Sequence, residues 1–206
     1  MHLRQTIPSL LLLNRQIHAE ASKVLYSTYT FSFHMSIEAI VPFLSDLTPH
    51  SRAAIRHIGL TKKALPYAKE FDRAEWKAMC EYLAGGEDVS TADGSSMHLH
   101  TLALQIIAGK PDIGWDAITP MQPLDFDTML RMKNEWLGGV PEAGGGVDLE
   151  WVEQFMRVKA MRDVRVKALV ERCARPVSEK QAFWVAFSKS VAEGGFGEWV
   201  RGRMVV

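Results

Sequence analysis

The spacing of apolar residues changes abruptly within residues 10–33, and this change constrains the fold more than any other feature of the chain. Apolar residues first recur at intervals of three and four, which is typical of one face of a helix: Leu10, Leu13, Ile17, Ala21 and Val24. The interval then becomes two, which is typical of a strand with one apolar and one polar face: Tyr29, Phe31 and Phe33. The segment therefore predicts a helix over residues 10–26 followed almost at once by a strand.

The same order of helix and strand returns along the rest of the chain. Helical patterns cover residues 36–47, 51–54, 69–84, 126–137, 149–161 and 178–193, and strand patterns cover residues 56–61, 101–107 and 164–169. Since successive parallel strands need a crossover that a helix supplies, this alternation predicts an α/β fold with a mainly parallel sheet. A glycine-rich stretch near residues 138–147 is interpreted as a loop or hinge within one domain, residues 1–206.

Polar residues occupy every second position of the predicted strands. They are Ser32 and His34, His57 and Thr61, Thr101 and Gln105, and Arg165 and Lys167. Parallel strands that are buried on both faces lack such alternation, so we expect the helices to lie chiefly on one face of the sheet. This is the plan of leucine-rich-repeat proteins, although strand starts near residues 29, 56, 101 and 163 are too uneven for a true repeat. The predicted architecture is therefore an irregular, leucine-rich-repeat-like α/β fold.

Composition excludes several classes of protein. The chain has 206 residues, of which 47% are hydrophobic and 23% charged, with a formal net charge of zero. One domain is expected at this length, and no overall field draws the molecule to nucleic acid or to an anionic membrane. Cys80 and Cys173 are isolated, which fits a reducing compartment, and no apolar run reaches the roughly 20 residues of a membrane span. We expect a cytoplasmic or nuclear protein.

Three patterns carry possible chemistry, and each has a simpler interpretation. The His98-x-His100 pair with Asp93 lacks the ligands of a zinc site and is interpreted as solvated histidines. The four carboxylates around Trp115 are interpreted as a solvated acidic loop: Asp112, Asp116, Asp125 and Asp127. The glycines of residues 194–197 have no preceding strand and no following Lys-Ser or Lys-Thr, so a frayed helix end is expected rather than a phosphate loop. No catalytic, cofactor-binding or metal-binding residue is predicted.

Two further groups are assigned to ordinary structural roles. The basic stretch of residues 157–175 is interpreted as a solvated face matched to an acidic protein, since no nucleic-acid motif accompanies it. Four large aromatic residues at helical spacing are predicted to lie in the core: Trp76, Phe183, Trp184 and Phe187.

About a dozen positions in the first part of the chain follow an ordered pattern. It reads Leu-Leu-x-Arg-Gln-Ile-x-x-Glu-Ala from Leu12, then Leu-Tyr-Ser from Leu25, then Thr-Phe-x-Phe from Thr30. Through these residues the chain resembles a fungal family of uncharacterised, F-box-like-associated domains of unknown function. The resemblance covers roughly residues 10–61. It implies a helix–strand α/β domain with an interaction role, while the missing upstream F-box-like segment argues against direct docking to a ubiquitin-ligase adaptor.

These observations predict a non-enzymatic protein–protein interaction domain that binds a protein through the polar sheet face or the Gly109–Pro123 loop. The candidate partner-binding residues are Ser32, His34, His57, Gln105, Trp115, Arg165 and Lys167. An accessory subunit or a homodimer that buries the Leu10–Leu13 helix is the alternative. An F-box-type substrate adaptor, an enzyme and a nucleic-acid binder rank below both, and no cofactor or membrane partner is expected.

Overall fold

The chain alternates helices and strands in the computed structural model, which describes residues 14–63, 70–85, 97–115, 150–158 and 162–205. The strands are β1 (Thr30–Ser32), β2 (His57–Lys63), β3 (Thr101–Pro111) and β4 (Asp163–Cys173). The helices are α1 (Arg15–Thr28), α2 (Ile40–Asp46), α3 (Pro49–Ala54), α4 (Glu70–Leu83), α5 (Glu150–Phe155), α6 (Glu179–Ala192) and α7 (Gly195–Met204), and a 3₁₀ turn at Ile37–Ala39 precedes α2. The predicted helix at residues 126–137, the glycine-rich loop at residues 138–147 and the Leu10–Leu13 segment lie outside the described residues.

The four strands form one parallel sheet in the order β1-β2-β3-β4. Each strand pairs with the next strand along the chain. The register aligns side chains in rows across the sheet, and the first row contains Thr30, His57, Thr101 and Asp163. The prediction of an α/β fold with a parallel sheet is confirmed.

One face of this sheet carries the core. Its strand residues alternate with the polar ones, as predicted, and are buried: Ile58, Leu60, Leu102, Leu104, Ile106 and Val164. Buried residues of α2, α4, α5, α6 and α7 belong to the same continuous cluster, and Tyr26 of α1 stacks on Phe31 of β1 next to it. Every described helix with buried apolar residues therefore packs on this face. This arrangement covers the apolar face of each amphipathic element.

Aromatic rings fill the centre of the core. The indole of Trp76 on α4 meets the ring of Trp151 on α5 edge to face, with centroids 5.6 Å apart, and its Nε1–H donates to the backbone oxygen of Trp151 over 2.9 Å. The ammonium of Lys62, which β2 directs into this face, lies 5.0 Å from the Trp76 ring centroid. Phe187 and Phe196 pack together on the other side of Trp151. The prediction that the helical aromatic residues are core is confirmed for Trp76, Phe183, Trp184 and Phe187.

The first helix differs from its prediction in both start and orientation. Asn14 has an extended backbone, and its Oδ1 accepts from the N–H of Ile17 over 2.8 Å, so α1 begins at Arg15 and no helix runs unbroken through residues 10–26. The predicted apolar stripe is wrong at Val24, which is 58% exposed, and Ser22 is buried instead. The reason is that the aromatic Tyr26 side chain finds a ring partner on β1, and this contact outweighs the simple period of small apolar residues.

Replacement of Asn14 by Ala should destabilise the protein by about 1 kcal/mol, because the helix loses the acceptor that satisfies one of its free N–H groups. The measurement is the free energy of unfolding from a urea titration. Asn14→Asp, which keeps an acceptor oxygen at the same position, serves as the control and should lie near the wild type. Equal stability of all three proteins would contradict the assigned cap.

The chain after residue 193 also differs from its prediction. Residues 194–197 do not fray the preceding helix but begin α7, which runs to Met204. Gly194 has φ +91°, a conformation that favours glycine, and it turns the chain between α6 and α7. The helix was missed because three glycines have low helix propensity, whereas burial of Phe196, Val200 and Met204 in the core supplies the missing stability.

Two strands are longer than predicted. β3 extends through Gly109 and Lys110 to Pro111, and β4 extends to Cys173. The first part of the Gly109–Pro123 loop is thus a strand, and residues 116–123 lie outside the described residues. No helix among the described residues is long and apolar enough to cross a membrane.

Candidate functional site

The polar face of the sheet is built by strand register. The row after the first contains Ser32, Gly59, Ala103 and Arg165, and the next row aligns Thr61, Gln105 and Lys167. His34 follows β1 beside that row, where its carbonyl oxygen accepts from the N–H of Thr61 over 2.9 Å. Strand register therefore brings five of the seven predicted binding residues to one face: Ser32, His57, Gln105, Arg165 and Lys167. No described helix covers it.

Exposure on this face increases toward the two outer strands. Ser32 of β1 and Arg165 and Lys167 of β4 are exposed, whereas His57 and Gln105 of the inner strands are half-buried. The Thr61 hydroxyl is buried at the centre of the face, 3.5 Å from Oε1 of Gln105. The face thus has a partly shielded centre between two accessible margins.

The polar face has a shallow centre in the row that contains Gly59. Its neighbours in the row, Ser32 and Ala103, are also small. A Cβ added to Gly59 would lie 3.2 Å from the Ser32 hydroxyl oxygen, so a side chain larger than that of glycine would be crowded there. The side chains of this row therefore extend only a short way from the sheet. The larger side chains of His57 and Gln105 stand in the rows on either side.

His34 ends the β1 part of the face. It has φ +48°, the left-handed conformation that non-glycine residues rarely adopt, and its side chain is exposed. The chain turns at this point into the 3₁₀ turn and α2, which return to the core face. The turn therefore places an imidazole at the accessible margin of β1.

Cationic side chains dominate the β4 margin. Nε of Arg165 lies 2.6 Å from Oδ2 of Asp163, with the Arg165 side chain 72% exposed. An ion pair this exposed stabilises the fold by no more than about 1 kcal/mol, and the guanidinium keeps further N–H groups for another acceptor. Lys167 is exposed one row away, and Lys63 is exposed one row beyond it on β2. Asp163 and Glu171 lie on the same face of β4, so cations exceed carboxylates in this region by one.

Histidine and arginine residues gather where β2 and β3 begin. The rings of His57 and His100 meet edge to face, with centroids 6.2 Å apart. The backbone N–H of His100 and that of Thr101 each donate to the backbone oxygen of Arg56. Loss of hydration, followed by the nearby charges of Arg162 and Arg56, lowers the pKa of His100. The lowered pKa favours the neutral form of the His100 imidazole beside the two arginines.

Trp115, the seventh predicted binding residue, lies away from the others. Its Nε1–H donates to the oxygen of Gly109 over 2.9 Å, and the ammonium of Lys110 lies 5.1 Å from its ring centroid. Gly109 is four residues beyond Gln105 along β3, which corresponds to about 13 Å. Trp115 thus packs against the end of β3, the strand that precedes it, and is not part of the row that contains Gln105 and Lys167.

The structure describes both histidines of the His98-x-His100 pair but not the third residue considered with them. His98 is exposed and His100 half-buried, while Asp93 lies outside the described residues. Within the described ranges, no three His, Cys, Asp or Glu side chains cluster in a way that could hold a metal ion. Of the acidic group near Trp115, the structure describes only Asp112, which is exposed.

Both cysteines are free thiols. Burial raises the pKa of the Cys80 thiol in α4 to about 12, and burial followed by the charge of Asp112 raises that of Cys173. Neither thiol has the lowered pKa of a reactive cysteine, and Cys80 has no access to solvent. Cys80 is therefore an unreactive thiol of the core.

The basic stretch of residues 157–175 does not form one surface. Arg165 and Lys167 belong to the polar face, but alternation along β4 directs the side chain of Arg172 to the opposite side. An exposed apolar pair, Leu169 and Val170, follows Lys167 along the strand. Sequence reasoning missed this pair because a Val-Leu-rich strand end normally indicates burial.

Comparison of the sequence and the structure with protein-family models, curated proteins and solved structures finds no match. The resemblance to F-box-like-associated domains, which was drawn from the pattern in residues 10–61, stays a prediction. Inference about function therefore depends on the geometry and charge of the polar face.

Proposed function

We propose that this chain is a non-enzymatic protein-interaction domain whose polar sheet face binds an acidic segment of a partner protein. The observation that carries the proposal is the arrangement of the helices, which pack on one face of a four-stranded parallel sheet and leave polar side chains aligned on the other. A pleated face of this kind offers side chains from neighbouring strands at regular spacing. Such faces serve as binding surfaces in one-sided repeat proteins.

Charge supports an acidic partner. Lys63 on β2 and Arg165 and Lys167 on β4 are exposed in successive rows on either side of β3, while the whole chain has a formal charge of zero. A local positive region on a neutral molecule attracts a complementary acidic surface at short range without a general affinity for polyanions. Binding by these residues should therefore weaken as the salt concentration increases.

The hydrogen-bonding groups on the face support recognition of an extended chain. Gln105 offers an amide, Ser32 a hydroxyl and Arg165 a guanidinium fork that suits a carboxylate. The low row of Ser32, Gly59 and Ala103 gives a bound segment room to approach the sheet. The resemblance in residues 10–61 to domains associated with F-box-like segments agrees with an interaction role.

The test is affinity purification from the organism that encodes the chain, at physiological salt, with quantitative mass spectrometry. The Arg165→Glu/Lys167→Glu variant is compared with the wild type. We expect a stoichiometric partner that the wild type retains and the variant loses by at least about tenfold, since like charges across an interface cost several kcal/mol.

A matched control variant separates a surface effect from a change in overall charge. Lys23→Glu/Lys77→Glu makes the same charge change on α1 and α4, where both side chains are exposed outside the polar face. This control should retain the partner. Loss of the partner in both variants, or in neither, would contradict binding by the polar face.

A further inference from the structure

The outer strand β4 is a long sheet edge. It has eleven residues, whereas β1 at the opposite edge has three. Its far side has no strand partner, because β4 ends the sheet order. Natural proteins shorten, cover or charge such edges, since unpaired backbone groups of a strand are a template for pairing with another chain.

Helix α7 covers the first half of this edge. The guanidinium Nε of Arg201 lies 3.4 Å from the backbone oxygen of Val164, and Gly197 packs against Val166 so closely that an added Cβ would be 3.3 Å from the Val166 side chain. No contact of this kind with the second half is found among the described residues, and Leu169 and Val170 are 43% and 47% exposed. The uncovered edge is thus confined to residues 167–173.

Strand geometry identifies which backbone groups are free. The oxygen of Val164 points away from β3, and N–H and C=O groups alternate sides along a strand, so Ala168, Val170 and Arg172 also direct theirs outward. No hydrogen bond to these backbone groups is found within the part of the chain that the structure describes. The uncovered edge therefore offers a ladder that a further strand can complete.

We propose that this edge binds the same edge of a second copy, in antiparallel orientation about a two-fold axis at Val170. Ala168 then pairs with Arg172 of the other copy, and Val170 pairs with its own equivalent. Each pair exchanges two hydrogen bonds, which gives about six across the interface. Pairing ends with Cys173 opposite Lys167 of the other copy, because β4 ends at Cys173. It therefore stops one residue before Val166, which α7 covers.

The side chains of β4 fit this register. Leu169 of one copy lies opposite Glu171 of the other, so Glu171 is a diagonal neighbour of both Lys167 and Glu171 across the axis, and the two Lys167–Glu171 pairs outnumber the single Glu171–Glu171 pair. Diagonal neighbours are about 7–8 Å apart, which long side chains of opposite charge can span. The two-fold axis repeats the Lys167–Glu171 pair and also covers both exposed Val170 side chains. Axes at Glu171 or Arg172 would instead place like charges opposite each other.

The resulting dimer has a continuous sheet whose polar faces lie side by side. Seven residues on each side make a small interface compared with the roughly 1,200–2,000 Å² of stable complexes, so we expect a dimer that dissociates on dilution. This inference uses the edge of the sheet, and its charge pair shares Lys167 with the proposed binding face. Glu171→Lys changes no candidate binding residue, so it tests the dimer separately from the proposed function.

Sedimentation velocity over a concentration series tests the dimer with charge variants. The wild type should change from monomer to dimer with increasing concentration. Glu171→Lys and Lys167→Glu should each weaken dimerisation at least about tenfold by creating like-charge neighbours, and the double variant Lys167→Glu/Glu171→Lys should restore it. Glu198→Lys, on the exposed side of α7, is the matched control and should dimerise like the wild type.

Val170→Pro tests the backbone ladder separately. It removes an outward N–H from an edge strand, where proline is tolerated, and should leave the circular dichroism spectrum unchanged while abolishing the dimer. A monomer at every concentration of the wild type would overturn the proposal. So would a dimer that none of these variants weakens, or a double charge variant that stays as weak as the single ones.

Discussion

Replacement of Leu104 by Asp is expected to prevent the protein from folding. Leu104 lies at the centre of β3 on the core face and is 1% exposed. A carboxylate there loses its hydration among apolar side chains, which costs several kcal/mol in addition to the lost apolar burial. Because single domains are stable by only about 5–15 kcal/mol, we expect little or no folded protein by circular dichroism at neutral pH.

The adjacent residue is the matched control for this prediction. Gln105→Asp introduces the same side chain one position along β3, on the half-buried polar face and in the row that contains Lys167. An opposite charge across neighbouring strands is compatible with the fold, so this variant should unfold within about 1 kcal/mol of the wild type in urea. Similar losses of stability for both variants would contradict a sheet with one covered and one polar face.

Replacement of Trp76 by Ala is expected to destabilise the protein by about 3–5 kcal/mol, as large-to-small changes at buried aromatic positions do. The Trp76 side chain is fully buried, packs edge to face on Trp151 and stacks on Phe155. The loss should be visible as a lower midpoint in urea with an unchanged slope.

Trp76→Phe separates the ring from its hydrogen bond. This variant keeps an aromatic ring but leaves the backbone oxygen of Trp151 without the indole N–H, which costs about 1–3 kcal/mol in a buried site. The expected order of stability is wild type, Trp76→Phe, then Trp76→Ala. A Trp76→Ala protein as stable as the wild type would contradict the central position of this indole in the core.

The parts of the fold that follow from local patterns were predictable. Alternation of polar and apolar residues in β2, β3 and β4 predicted both the strands and their two faces, because the period of two is a direct property of a strand. Residues as distant as Ser32 and Lys167 could be assigned to one face for the same reason. Their positions in rows could not, since register depends on pairing between strands that the sequence does not state.

Features that depend on tertiary contacts were not predictable. Helix α7 begins among glycines, and Phe196 gains its stability from Trp151 and Phe187, which are distant in sequence. Val24 follows the period of a buried stripe, yet α1 turns it to solvent because Tyr26 packs on Phe31. In both cases packing outweighs local propensity, as it commonly does in folded proteins.

The candidate binding residues divide in a similar way. Arg165, Lys167 and Gln105 were found by alternation and come together on the polar face. Trp115 was selected as an aromatic residue in a non-helical stretch, and only the structure reveals its hydrogen bond to Gly109. Composition alone does not distinguish an aromatic residue that packs on the preceding strand from one that binds a partner.

Thiol accessibility tests the central claim, that one face of the sheet is covered and the other is open, most directly. Single cysteines are introduced at Ser32, Leu104 or Lys167 in a Cys173→Ser background. Cys80 is then not labelled, because its thiol is buried and burial raises its pKa to about 12. Labelling of the folded protein is followed by mass spectrometry at neutral pH.

We expect rapid labelling of the cysteines at positions 32 and 167, at rates close to those of the unfolded chain. Labelling at position 104 should be slower by at least about a hundredfold, since that thiol reacts only when the fold opens. Protection of positions 32 and 167 to the same degree as position 104 would contradict a one-sided sheet, because it would mean that both faces are covered.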